Sequence, residues 1–125
     1  MPGVTLDAGA LIAVERAAPR MQALLDEAHL AGLPIDIPAG ALAQAWRGTR
    51  RQARLARLLR LDNVTIRPLD ETNAKAAGAL CGHTASNDPI DASIIINARR
   101  NHHTIITSDP DDLHHLDPTL RIITI

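Results

Sequence analysis

Val4-Thr5-Leu6-Asp7-Ala8-Gly9-Ala10-Leu11-Ile12 sets the reading of the whole chain. A short strand ends on an acid, and small residues lead at once into a run of helical composition over 10–17. The alternation then continues. Pro19 opens a second helix, with Met21, Leu24 and Leu25 at helical spacing and Gly32 as its stop. Ile35-Asp36-Ile37 predicts a strand, 39–46 a helix begun at Pro38, and Thr49 the cap of a helix reaching Leu61. A strand at 64–66 precedes an alanine-rich helix, capped by Asp70 or Thr72 and running through Leu80. Pro89 begins a helix to Arg100, followed by a central strand at 104–107, a short helix at 110–116 and a last strand at 121–124. Strands alternating with helices imply right-handed crossovers: an α/β fold whose mostly parallel sheet is covered on both faces.

A chain of 125 residues supports one core, so 1–125 is expected to be a single domain. Hydrophobic residues make up 46%, which excludes disorder as its main content. With no Phe or Tyr and only Trp46, the core must be built from interdigitating aliphatics. Lys75 stands alone among the 13 basic residues, an arginine and alanine bias that fits a GC-rich genome. The formal charge of −1 excludes a generally basic nucleic-acid binder, so such binding requires a local patch. Cys81 has no partner for a disulfide or a CxxC site, the start lacks a signal-peptide pattern, and no apolar run approaches a membrane span. These features predict a cytoplasmic protein.

Five acids border short apolar runs. Asp7 closes the first; Asp88 and Asp91 lie in Asn87-Asp88-Pro89-Ile90-Asp91-Ala92; Asp109 and Asp112 follow Thr104-Ile105-Ile106-Thr107-Ser108. Carboxylates gathered at strand ends suit a hard divalent cation that takes oxygen ligands and retains waters. Open α/β sheets bind ligands outside the carboxyl ends of their strands, which places these acids on one rim. A structural role competes with that reading. Asp-Pro-x-Asp, at 88–91 and again at 109–112, also makes a good helix start, with acid cap, proline at the first position and an acid facing the dipole. On those grounds Asp88 and Asp112 are structural, while Asp7 either caps the helix after it or faces a ligand across Ala-Gly-Ala. Converging carboxylates repel one another unless a cation neutralises them, so convergence separates the two readings.

Val4–Ile12 resembles the first motif of PIN-domain nucleases, especially VapC-type toxins of bacterial toxin–antitoxin pairs. Asp91-Ala92-Ser93-Ile94-Ile95-Ile96-Asn97-Ala98 is similar to the third motif, and Thr107-Ser108-Asp109-Pro110-Asp111-Asp112-Leu113 to the fourth. Order, spacing and length agree over nearly the whole chain. The resemblance implies a three-layer α/β/α sandwich and a Mg²⁺- or Mn²⁺-dependent endoribonuclease. It further implies Asp7, Asp91 and Asp109 as metal ligands, Asp88 or Asp112 acting through water, a VapB-type antitoxin and a homodimer. Where the family usually places a Glu, this chain has Gln44, a neutral oxygen donor. That predicts weak binding of any second metal, or a one-metal site. The competing reading is a PIN-like RNA- or protein-binding module silenced by Gln44.

Arg47, Arg50, Arg51, Arg54, Arg57 and Arg60 fall within a stretch that has no acid. Arg50, Arg54 and Arg57 share one face of the expected helix, with Leu55, Leu58 and Leu59 toward another. Such a run suits an RNA backbone, though a solvated face or a surface for an acidic partner explains it too. His102-His103 and His114-His115 point in different directions and lack cysteine partners, which predicts exposed positions rather than zinc ligands. Trp46 is expected in the core or a dimer interface, and Cys81 as a small buried apolar residue.

Overall fold

Thr5 and Leu6 point to opposite faces of β1 (Val4–Leu6), and both are fully buried, so this strand is covered on each side. The computed structural model describes residues 2–125. Among them, β2 (Ile35–Pro38), β3 (Val64–Arg67), β4 (Thr104–Thr107) and β5 (Ile122–Thr124) complete one parallel sheet in the order β3-β2-β1-β4-β5. The strand at 104–107 is interior, as expected, between β1 and β5. Thr5 lies opposite Asp36 on one side and Ile105 on the other.

The connecting helices are α1 (Ala8–Glu15), α2 (Pro19–Leu30), α3 (Ala39–Ala45), α4 (Ala53–Leu58), α5 (Glu71–Thr84), α6 (Pro89–Asn101) and α7 (Pro110–Leu116). Leu11, Val14, Met21, Leu25, Leu55 and Leu58 bring α1, α2 and α4 onto Leu6, Ile35, Ile37 and Ile106. On the other face Leu80, Ile94, Ile95, Ala98 and Leu113 pack with Ile105. The result is the three-layer α/β/α arrangement expected. Helix α3 joins the layers, its Ala45 in the first core and its Ala41 in the second.

The helix expected from Thr49 to Leu61 does start at that cap, but its first turn is 3-10 and it ends at Leu58. A 3-10 turn at Arg50–Gln52 precedes α4, and Arg47 lies in the linker before it. Gln52 anchors the linker before this turn. Its buried side chain accepts from the backbone N–H groups of Arg47 (2.8 Å) and Gly48 (3.0 Å), and donates to Glu15 and to the Ala45 carbonyl, each at 2.8 Å. One amide thus satisfies the end of α3 and holds the turn that redirects the chain. The helix expected to end at Leu80 runs on to Thr84 and stops at Ala85, which takes the left-handed conformation at φ 56°.

The chain proceeds outward from β1 to β2 and β3, then crosses back to β4 on the other side of β1. The reversal falls between β1 and β4, and the crevice beyond their carboxyl ends is the natural ligand position in such a sheet.

Candidate active site

Asp7 leaves β1 at this crevice and is buried. One carboxylate oxygen caps α1 by accepting from the Ala10 N–H at 2.9 Å; the other accepts from the Thr107 hydroxyl at the end of β4. Thr107 in turn accepts from the Asp109 N–H at 3.0 Å, so one hydroxyl links both acids. A Cβ on Gly9 would stand 2.1 Å from Ser108 Oγ. The small residues after Asp7 therefore admit the chain's own β4–α7 loop, where the sequence had suggested space for a ligand.

Asp88 caps α6, accepting from the Asp91 N–H at 3.0 Å. That leaves the Asp91 carboxyl facing other acids. Burial and the charge of Asp88, reinforced by Asp112 and Asp7, raise its pKa from 3.8 to about 7. Burial also raises Asp7 against the lowering effect of its Thr107 and Ala10 bonds, and Asp109 adds to the rise. No arginine or lysine among the described residues holds either carboxyl down. The five acids thus converge electrostatically, from β1, the start of α6 and the start of α7. Asp7 and Asp88 do cap helices, as the structural reading expects, whereas Asp109 sits at the cap position of α7 without making a capping bond.

Among the described residues, no three His, Cys, Asp or Glu side chains stand as a ready ligand set for a metal. Asp7 and Asp88 each direct one carboxylate oxygen to a backbone N–H group. The donor set nonetheless fits a hard divalent cation: it consists of carboxylate oxygens whose charges repel and lack a compensating positive charge. Gln44 is exposed on α3. Four residues earlier and on the same helical face, a Cβ on Gly40 would lie 2.5 Å from Ile90 Cδ1, so this face of α3 abuts the start of α6.

The arginines do not form one stripe. The Arg47 guanidinium donates to the Trp46 carbonyl (2.7 Å) and the Ala43 carbonyl (3.4 Å), folding back on the end of α3. Arg54 and Arg57 line a groove of about 640 Å³ between α2 and α4 together with Leu25, Leu58 and Leu61. Arg50 and Arg51 stand exposed in the 3-10 turn. Trp46 is 40% exposed and so outside the core, and Cys81 is half-buried.

The sequence reading missed a buried polar network beside the site. Asp36, wholly enclosed within β2, accepts from Arg67 Nε at 3.0 Å and from Asn97 Nδ2 at 3.1 Å; its other oxygen has no partner. Asn97 also donates to Thr5 Oγ1 at 3.0 Å, which is 3.0 Å from His103 Nδ1. His103 is therefore buried rather than exposed, and burial holds its pKa below the usual value despite the Asp36 charge. The available signal was an acid inside Ile35-Asp36-Ile37: an isolated charge between two buried isoleucines requires partners.

Sheet order, rim and acids define a class of α/β proteins with an acidic site at the β1–β4 switch. The PIN domain family matches residues 4–117, and the chain belongs to that family. No curated protein sequence matches it. Its structure is similar to that of VapBC2 from Rickettsia felis bound to a promoter DNA fragment, with a TM-score of 0.73, 15% identity and 97% of each chain covered. DNA-bound VapBC from Salmonella typhimurium gives 0.72 at 13% identity, covering 99% of this chain and 98% of that one. FitAcB from Neisseria gonorrhoeae gives 0.66 at 18%, covering 97% and 96%.

Proposed function

We propose that this PIN domain is a metal-dependent endoribonuclease and the toxin of a toxin–antitoxin pair. The observation carrying this reading is the convergence of five uncompensated carboxylates at the β1–β4 switch. Asp7, Asp91 and Asp109 would hold a Mg²⁺ or Mn²⁺ ion. When bound, such an ion supplies Lewis acidity for a phosphoryl oxygen and lowers the pKa of coordinated water. Thr107 fixes the orientation of Asp7 and the approach of Asp109. Asp88 or Asp112 would act through water at the same rim, and Gln44 would add a neutral oxygen where a further charge is common. Exposed Arg50 and Arg51, with Arg54 and Arg57, attract the RNA backbone, while Arg47 is largely engaged with α3.

The similarity to VapBC and FitAcB structures supports an antitoxin partner of the VapB type. The α2–α4 groove offers an apolar floor for such a segment, with Arg54 and Arg57 at its side. No helix among the described residues is long and apolar enough to cross a membrane, and the reading places the protein in the cytoplasm, as a homodimer.

Incubation of RNA with the protein and Mg²⁺ or Mn²⁺ tests the activity. Asp7→Asn and Asp91→Asn are expected to abolish cleavage while circular dichroism stays unchanged. Full cleavage by both folded variants would overturn the assignment.

A further inference from the structure

Beyond the carboxylates, α5 packs chiefly on α6 and α7 and leaves the edge strand β3 uncovered. The gap is a pocket of about 330 Å³, large enough for one nucleotide. Ile96, Asn97 and Arg100 of α6 form one wall, Leu69 and Asn73 the other, and Arg67 enters from β3. Ser93 also lines it, two residues beyond Asp91, so the pocket begins within one helical turn of the acidic rim.

Several of its wall amides are already engaged. Asn97 donates to Asp36 and Thr5, and Asn101 to the Asn97 side chain at 3.2 Å. The Asp70 carboxylate is engaged by the Asn73 N–H at 2.9 Å. The main donors left for an anionic ligand are the guanidinium N–H groups, and one oxygen of the Asp70 carboxylate is also unengaged. Arg67 uses Nε on buried Asp36, which braces the side chain and leaves both terminal nitrogens free of protein partners among the described residues; Arg100 is steadied by Asn73 Oδ1. A pocket rich in fixed donors, with apolar Ile96 and Leu69 between them, calls for a ligand bearing anionic oxygens and a flat apolar face. In a chain with one aromatic residue, a guanidinium and aliphatic walls are also the means left for holding a base.

We propose that this pocket receives the nucleotide flanking the cleaved bond, its phosphate between Arg67 and Arg100 and its base against Ile96 and Leu69. The proposal rests on the nuclease reading, and makes the pocket a source of substrate positioning separate from the acidic site.

Two measurements test it. Without divalent ion, binding of a labelled single-stranded RNA by Arg100→Ala should weaken roughly tenfold relative to wild type. Its log–log salt dependence should be shallower by about 0.7. In wild type, uridine 5′-monophosphate should shift the amide resonances of residues 96–101 more strongly than inorganic phosphate does. Wild-type binding with these effects but no cleavage under any divalent ion would remove the nuclease reading and leave the pocket standing. Cleavage with an unchanged KM in Arg100→Ala, or equal shifts with phosphate alone, would overturn the pocket. A changed oligomeric mass in Arg100→Ala with unaltered RNA binding would also overturn it, assigning the surface to a second copy of this chain.

Discussion

The Thr107 hydroxyl, at the end of β4, donates to the Asp7 carboxylate at the end of β1, across the point where strand order reverses. Thr107→Val keeps the shape and removes that donor. Asp7 is buried, so one of its oxygens would lose its partner, at a cost of about 1–3 kcal/mol. The Asp7 pKa should rise further, because the lost bond is the main influence lowering it. Chemical denaturation should show the loss, with an unchanged m-value.

Stability without divalent ion should depend on pH through Asp91. Its pKa is 3.8 in the unfolded reference and about 7 in the fold. Below 3.8 both states hold the proton; between 3.8 and about 7 only the folded state does. The contribution is therefore fully present at low pH and disappears as pH rises to about 7. His103 acts oppositely, since its lowered pKa favours the neutral ring and withdraws stability as pH falls below 6.5. Comparing wild type with Asp91→Asn separates the two. Melting temperatures should show wild type losing ground to the variant between pH 5 and pH 7, and a constant difference would contradict the raised pKa.

Arg67→Ala should destabilise the fold by about 2 kcal/mol, because it removes the charged partner of wholly buried Asp36. The loss stays below that of a fully enclosed pair because the Arg67 side chain is 43% exposed and Asn97 still donates. Urea titration of Arg67→Ala and of Arg67→Ala/Asp36→Asn should show the second change recovering part of the loss.

Reversing Arg50 and Arg54 to Glu should weaken RNA binding and flatten its salt dependence, each neutralised phosphate contact being worth about 0.7 in log–log slope on a single strand. Fluorescence anisotropy across a salt series measures it. An unchanged slope would return these residues to an ordinary solvated surface.

Strand-then-helix alternation was plain in the sequence because β1, β2 and β4 are short apolar runs ending at Asp7, Pro38 and the Asp109 turn, so a parallel α/β sheet with acids at its rim could be anticipated. Strand order could not. It depends on pairings such as Thr5 with both Asp36 and Ile105, which are distant in sequence. The linker before Arg50–Gln52 was hidden because Gln52 holds it through bonds to Glu15 and Ala45, and helix propensity does not register those. His103 differs from its exposed neighbour His102 for a similar reason: only the fold brings Thr5 to its ring. Gln44 was legible by its position on α3.

The most direct test is a calorimetric titration of Mn²⁺ or Mg²⁺ into wild type, Asp7→Asn and Gln44→Glu. The account predicts binding in wild type, its loss in Asp7→Asn, and tighter binding in Gln44→Glu as a carboxylate joins the rim. No binding in wild type and none gained by Gln44→Glu would mean that the acidic rim takes no metal ion, contradicting a metal-dependent site.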